Sequence, residues 1–81
     1  ASAGAPRRST WASDIEALTP RQREVLLLIA RGLSNSEIEA ELGITRATCR
    51  SHITALLARL GARDRAQLVI AAYEAGLISP R

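Results

Sequence analysis

The fold of this chain is decided by the stretch ITRATCRSHITALLARLG, residues 44–61. Thr45 is a favourable N-cap, because its hydroxyl can accept a hydrogen bond from a free amide of the first helical turn. Gly61 favours a helix end, since glycine readily adopts the left-handed conformation that closes helices. Between these two residues, one apolar stripe has helical spacing and contains Cys49, Ile53, Leu56, Leu57 and Leu60. The stretch therefore predicts an amphipathic helix over 46–60.

The opposite face of this helix is slim and basic. By the same spacing it carries Arg46, Arg50, Ser51, Thr54 and Ala55. A helix with a core stripe on one side and two guanidinium groups on the other suits the major groove of DNA. An ordinary amphipathic helix with a solvated polar face explains the same pattern, so the helix alone leaves both interpretations open.

Length and composition limit the class of protein. A chain of 81 residues forms one small domain, which usually needs a helical fold, a metal or disulfides. One cysteine cannot form an internal disulfide and one histidine gives no metal-ligand cluster, so we predict no cofactor and no metal. No segment has the length and apolarity of a membrane span or a signal peptide, so we expect a cytoplasmic protein. Because the chain starts at alanine rather than methionine, we also expect it to be part of a longer protein.

Cap signals, each followed by a periodic apolar run and a glycine, predict four helices. The segments TPRQ (19–22) and SNSE (34–37) are capping boxes that open the first and second helices. The third helix is 46–60, and Asp64 opens the fourth. The predicted core side chains of the first, second and fourth helices are Val25, Leu26, Leu28, Ile29, Ile38, Leu42, Ala66, Val69, Ala72 and Tyr73, with Leu77 and Ile78 folding back onto them.

The chain divides into a tail and a domain. Residues 1–13 are small, polar and without apolar periodicity, and we predict a flexible linker or tail there. Residues 14–81 are predicted to form an all-α, four-helix helix-turn-helix domain. Trp11 leaves two interpretations open, since it can pack on the domain with Ile15 and Leu18 or mark an interface with an upstream domain.

The helix-turn-helix is predicted at about residues 34–60. Only Gly43 and Ile44 separate the second helix from the Thr45 cap, and so short a connection forces a steep crossing of the two helices. A plain helical hairpin is the alternative.

The charge distribution favours DNA over the hairpin. Residues 44–65 contain five arginines and a single acid, whereas the second helix carries Glu37, Glu39 and Glu41. These three glutamates are expected to weaken non-specific binding, because each faces a polyanion if the second helix lies across the DNA backbone.

Five segments, in this order and spacing, resemble the LuxR-type C-terminal DNA-binding domain, which also occurs in response regulators of the FixJ class. They are LTPRQREVL (18–26), GLSNSEI (32–38), GITRATCRSH (43–52), RLGARDRA (59–66) and GLI (76–78). Each segment is weakly specific alone, but the five together are specific. The resemblance implies a four-helix domain whose third helix lies in the major groove and whose fourth helix pairs two copies.

The resemblance also implies roles for individual residues. Arg50 takes the place of a lysine that contacts a base or phosphate, and its neighbours face the groove. Together with the basic face, the predicted base contacts are Arg46, Arg50, Ser51 and Thr54. The predicted phosphate contacts are Ser34, Asn35, Thr45, Thr48, Arg59, Arg63 and Arg65. On the fourth helix, the residues left outside the predicted core form the predicted dimer interface, which is Gln67, Ile70, Ala71 and Glu74.

Several positions depart from the family pattern. Gln22 replaces a glutamate, and Cys49 replaces a valine at a site that suits a small apolar side chain. Glu39 stands where alanine usually packs against the third helix, so its carboxylate must reach the surface or an arginine. Ile53 and Ala55 stand at positions that are often polar, which leaves the groove surface poor in hydrogen-bonding groups.

We therefore expect sequence-specific binding of double-stranded DNA by the effector domain of a bacterial transcriptional regulator associated with the nucleoid. The expected site is an inverted repeat bound by a homodimer that forms on DNA, with RNA polymerase as a further candidate partner and no membrane contact.

Two alternatives are the promoter-binding region of a sigma factor and a helical protein-interaction module that does not bind DNA. We expect no enzyme, because Cys49 is predicted to be buried and no carboxylate at fixed spacing orients His52.

Overall fold

A computed structural model describes the backbone of residues 6–79 and the side chains of residues 11–79. Within these residues the chain forms five helices, α1 (Pro6–Glu16), α2 (Pro20–Ala30), α3 (Asn35–Leu42), α4 (Arg46–Leu60) and α5 (Arg65–Glu74). The described residues contain no strand, so the predicted all-α class is confirmed, and α2 to α5 are the four predicted helices. The α4 helix packs against each of the other four. None of the described helices has the length and apolarity needed to cross a membrane.

Local hydrogen bonds start the helices where the sequence predicts. The Thr19 hydroxyl accepts a hydrogen bond from the Gln22 amide, and the Thr19 amide donates to Oε1 of Gln22, both at 3.1 Å. Ser34 and Glu37 form the same capping box at the start of α3. A cap of this kind stabilises a helix by about 1 kcal/mol. The N-caps of α2 to α5 are Thr19, Ser34, Thr45 and Asp64.

The predicted helix-turn-helix is confirmed. Gly43 ends α3 in the left-handed conformation, with φ of +66°, which side chains with a Cβ rarely adopt. The amide of Ile44 donates to the carbonyl of Glu39 at 3.1 Å, and the Ile44 side chain packs partly buried on the core. Thr45 then caps α4, so α4 starts almost directly after α3 and its orientation is fixed by this turn.

The N-terminal helix corrects the prediction of a tail over residues 1–13. From residue 6 onward that prediction is wrong, because Pro6–Glu16 is helical. Residues 1–5, 80 and 81 lie outside the described part of the chain. Trp11 is only 6% exposed and lies in the core together with Ile15 and Leu18, which confirms the first of its two interpretations.

Long-range contacts hold α1 in place. The indole Nε1 of Trp11 donates a hydrogen bond to the carbonyl oxygen of Leu60 at 3.0 Å, satisfying an acceptor at the end of α4. The Arg23 guanidinium donates to the carbonyls of Ile15 at 3.3 Å and Glu16 at 3.1 Å, so it caps the end of α1. A short helix with little periodicity is marginal alone, and here tertiary packing stabilises it.

The core face of α5 differs from the prediction. Leu68, Ala71 and Ala72 are fully buried, whereas Ala66 is exposed and Tyr73 is 37% exposed. The prediction that Ala66 and Tyr73 lie in the core is therefore wrong, and so is the outward position predicted for Ala71. The cause is that α5 is apolar at most positions, so its periodicity allows more than one buried face. The remaining predicted core residues are buried or partly buried: Val25, Leu26, Leu28, Ile29, Ile38, Leu42, Cys49, Ile53, Leu56, Leu57, Leu60, Val69, Ala72, Leu77 and Ile78.

Candidate nucleic-acid interface

One exposed face of α4 carries all four predicted base contacts. They are Arg46, Arg50, Ser51 and Thr54, and each is exposed. On the opposite side of the helix Cys49, Leu56 and Leu60 are buried, which fixes the rotation of the helix about its axis. Among the described residues, neither guanidinium of this face has a hydrogen-bond or ion-pair partner. The face therefore presents two unpaired cations and two short hydroxyl side chains to solvent.

Hydroxyl groups surround the start of α4. The Thr45 hydroxyl accepts from the Thr48 amide at 3.1 Å and donates to the Thr48 hydroxyl at 3.0 Å. Ser34, which caps α3, is exposed as well. The N-terminus of a helix carries a partial positive charge and free amides, both of which favour an anion. Thr45 and Thr48 thus lie where a phosphate is electrostatically favoured, whereas the Glu37 carboxylate already caps the N-terminus of α3 beside Ser34.

Two predicted phosphate contacts lie at the other end of α4. Arg59 is exposed in the last turn of the helix, and Arg63 is exposed in the loop that follows. At a rise of about 1.5 Å per residue, Arg46 and Arg59 are about 20 Å apart along the axis. Positive charge is therefore available at both ends of α4.

Arg65 and Asn35 have a structural role that the sequence analysis missed. The half-buried Arg65 guanidinium donates to Oδ1 of Asn35 at 2.5 Å and to the carbonyl of Leu33 at 2.6 Å. Through these bonds the start of α5 is joined to the start of α3. Both residues were predicted to contact phosphate. Their mutual hydrogen bond leaves other N–H donors of both side chains available, and the phosphate contacts stay predictions. No local signal relates two residues 30 positions apart.

Cys49 is fully buried between α3 and α4, as predicted. Its Sγ lies 4.0 Å from the carbonyl oxygen of Asn35. Burial raises the pKa of the Cys49 thiol, the carboxylate of Glu39 raises it further, and the guanidinium of Arg65 opposes this change. A thiol with a raised pKa and no access to solvent is a poor nucleophile, so Cys49 is a packing residue.

Replacing Cys49 by valine is expected to change the free energy of unfolding by less than about 1.5 kcal/mol, since the two volumes are similar. In the parent, stability should fall as pH rises above the ordinary thiol pKa, because the unfolded chain then loses a proton that the folded chain keeps. Urea unfolding between neutral and alkaline pH should show this fall in the parent and a smaller one in Cys49→Val. Rapid labelling of the native thiol would show instead that the side chain is accessible.

A polar cleft opens between α3 and α4, beside the exposed face. Its volume is about 270 Å³, and it is lined by Asn35, Ser36, Glu39, Arg46 and Arg50. Glu39 is half-buried there, on the same cleft as the two arginines, but no ion pair of 4 Å or less joins it to either. The Glu39 carboxylate, which was expected to reach the surface or an arginine, lines an open cleft that it shares with two arginines.

A second, apolar groove lies between α2 and α3. It has a volume of about 160 Å³ and is lined by Glu24, Leu27, Leu28, Glu41 and Leu42. Glu41 lies two residues after Glu39, a rotation of about 200° around the helix axis. The two carboxylates therefore project from opposite sides of α3.

The exposed face of α5 carries the large apolar side chains that are most exposed among the described residues. Ile70 is 48% exposed and Tyr73 is 37% exposed, and with Ala66 they have the spacing i, i+4, i+7. Of the predicted dimer residues, Ile70 and Glu74 are exposed, and Gln67 is half-buried with its Oε1 accepting from the Arg63 amide at 2.8 Å. Tyr73 thus takes the outward place that was predicted for Ala71.

Comparison with known proteins identifies one family. Residues 16–72 match the family described as bacterial regulatory proteins, luxR family. Over 63 residues, or 78% of its length, the chain is 46% identical to the response regulator protein VraR of Staphylococcus aureus (strain Mu3 / ATCC 700698). The VraR proteins of Staphylococcus saprophyticus and Staphylococcus epidermidis match with the same identity and coverage. The chain spans about 30% of the length of these curated relatives.

Proposed function

Since this chain belongs to the luxR family of bacterial regulatory proteins, a family of DNA-binding transcription regulators, we propose that it recognises a specific double-stranded sequence with α4 in the major groove. It acts as the effector domain of a bacterial transcriptional regulator, on nucleoid DNA in the cytoplasm. The observation that carries this proposal is the exposed face of α4, where Arg46 and Arg50 stand one turn apart without internal partners. Guanidinium groups that are free in this way can make bidentate hydrogen bonds to the major-groove edge of guanine.

The arrangement of the remaining polar residues supports the same docking. The hydroxyls of Thr45 and Thr48 lie at the N-terminal end of α4, that of Ser34 lies at the N-terminal end of α3, and Arg59 and Arg63 lie at and just beyond the C-terminal end of α4. Contacts of both groups with phosphate would hold α4 in register, while the middle of the helix faces the bases. No comparable observation favours either alternative function, the promoter-binding region of a sigma factor or a protein-interaction module. RNA polymerase stays a predicted partner.

Selection from a random pool of double-stranded DNA tests this function directly. The domain is expected to enrich one motif over successive rounds, and the enriched duplex should bind at least about 1,000-fold more tightly than an unrelated duplex at physiological salt. Binding to all duplexes with equal affinity would contradict sequence recognition, and no binding to any duplex would contradict the function itself.

Replacing Arg59 by alanine is expected to weaken binding to every sequence by the same factor, because a phosphate contact carries no sequence information. The slope of log K against log salt concentration should decrease by about one unit. Arg21→Ala is the control, since it removes an equal charge from an exposed, ion-paired side chain on α2. A loss restricted to the selected duplex, at unchanged slope, would assign Arg59 to a base instead.

We further propose that two copies pair through the exposed face of α5 when both are bound to DNA. Ile70 and Tyr73 supply the apolar centre of this face, and Gln67 and Glu74 lie beside it. Symmetric pairing of this kind places two recognition helices about one DNA turn apart, near 10 base pairs, and requires an inverted-repeat site. The patch is small, so we expect the free domain to be monomeric.

The substitution Ile70→Glu is expected to abolish cooperative filling of the second half-site while leaving binding to a single half-site nearly unchanged. It places a charge at the centre of the proposed contact, where desolvation is costly. Titration of duplexes with one and two half-sites measures both quantities, and equal unfolding midpoints of variant and parent verify the fold. Cooperativity equal to that of the parent would exclude this interface.

A further inference from the structure

The three acidic residues of α3 have different surroundings, although the sequence presents them as one group. Oε1 of Glu37 accepts the Ser34 amide at 2.7 Å, so this carboxylate caps its own helix. Glu41 is exposed and lines the apolar groove beside α2. Glu39 is half-buried and lines the polar cleft together with Arg46 and Arg50. Glu39 is therefore the one of the three whose charge lies beside the guanidinium groups of the exposed face.

Two further observations place Glu39 beside α4. Glu39 lies in the last turn of α3, where its carbonyl accepts the Ile44 amide of the tight turn into α4. Its negative charge also contributes to the raised pKa of the Cys49 thiol, which lies on α4. Glu39 thus lies beside the first turns of α4 and lines the same cleft as both arginines.

We propose that Glu39 determines the specificity of DNA binding by weakening the contacts that Arg46 and Arg50 make with phosphates of any sequence. The proposal rests on the proposed function and concerns the same surface. Non-specific binding depends on neutralisation of phosphates by cations. A carboxylate in the same cleft attracts both guanidinium groups in the free protein and repels a phosphate that approaches them. Salt screens such interactions between charges only beyond a Debye length of about 8 Å.

The two kinds of complex respond differently to this carboxylate. A guanidinium group has five N–H donors, of which two suffice for the edge of guanine. In the cognate complex, Arg46 and Arg50 can face the bases and keep their attraction to Glu39 behind them. In a non-cognate complex the same groups must turn toward phosphates, which separates them from the carboxylate. Glu39 therefore acts as a repulsive element that costs the wrong site more than the right one, which is one of the ways in which specificity is achieved.

The test compares Glu39→Gln with Glu41→Gln. Each removes one negative charge from α3 and keeps the side-chain volume, but only Glu39 lines the cleft. Affinities of the parent and both variants are measured for the duplex that the parent selects and for an unrelated duplex of equal length, at two salt concentrations. Glu39→Gln is expected to tighten binding to the unrelated duplex about 3–10-fold more than Glu41→Gln does, with little change on the selected duplex. The ratio of the two affinities should fall by the same factor.

Two outcomes would overturn the proposal. Equal effects of both substitutions on both duplexes would mean that only net charge matters. Weaker binding of Glu39→Gln to the selected duplex, with the unrelated duplex unchanged, would mean that Glu39 contacts the DNA directly. Urea unfolding of each variant shows whether the fold is kept. If the parent selects no duplex, the proposed function fails first and this proposal with it, so the two failures are distinguishable.

Discussion

Replacing Trp11 by alanine is expected to lower the free energy of unfolding by about 3–5 kcal/mol. The indole is 6% exposed in the core, and its Nε1 donates to the carbonyl of Leu60 at the end of α4. Truncation leaves a cavity and also leaves that carbonyl without its partner. A domain of this length has a total stability of about 4–12 kcal/mol, so the loss is a large share of the total. Urea denaturation followed by far-UV circular dichroism measures the change.

The second aromatic residue supplies the matched control for Trp11. Tyr73 is 37% exposed on α5, and Tyr73→Ala is expected to cost much less than Trp11→Ala. Trp11→Phe separates the two contributions of the indole, because it keeps most of the apolar volume and removes the donor. Equal unfolding midpoints for Trp11→Ala and the parent would show that α1 is not part of the cooperative unit.

The helix ends were predictable because they depend on neighbours in the sequence. The hydrogen bonds of the caps at Thr19, Ser34 and Thr45 span three residues, so the residues that make them stand together in the sequence. The same holds for the left-handed glycines at 43 and 61, which end α3 and α4. A turn of two residues between two such helices then restricts their crossing, which is why the helix-turn-helix followed from the sequence.

The N-terminal helix was not predictable by the same means. Its stabilising contacts are the bond from Trp11 to Leu60, which is 49 residues away, and the cap that Arg23 gives to its last carbonyls. The sequence of α1 has neither a strong apolar stripe nor an acidic first turn. Because the segment lacks apolar periodicity, the sequence predicts a tail there. The large apolar side chain of Trp11 is the feature that indicates packing.

In the candidate site, too, the features set by neighbouring residues were predictable and those set by long-range packing were not. The exposed face of α4 follows from one helical period. Arg46, Arg50, Ser51 and Thr54 are exposed as the sequence predicts, whereas Ala55 is partly buried. The partnership of Arg65 with Asn35 and the different surroundings of the α3 glutamates depend on how helices distant in the sequence pack together. The three glutamates of α3 carry the same charge and are equivalent in the sequence. Only their positions in the fold show that their surroundings differ.

Replacing Arg50 by alanine is expected to lower the preference for the selected duplex by about 1–3 kcal/mol, or roughly 5–150-fold, if the guanidinium makes a bidentate contact with guanine. Arg50 is exposed at mid-helix, about 100° around the axis from the buried Cys49, so the fold should be unaffected. Competition binding between the selected and the unrelated duplex gives the preference, and far-UV circular dichroism gives the helicity. A footprint of Arg50→Ala identical to that of the parent would show that the proposed docking is wrong.

The substitution Arg50→Lys distinguishes a base contact from a phosphate contact at the same position. Lysine keeps the positive charge but lacks the planar pair of donors that matches the edge of guanine. If Arg50 contacts a base, Arg50→Lys should recover much of the affinity for the unrelated duplex while the preference stays as low as in Arg50→Ala. If Arg50 contacts only phosphate, lysine should restore both quantities, and base recognition by α4 would then depend on Arg46, Ser51 and Thr54.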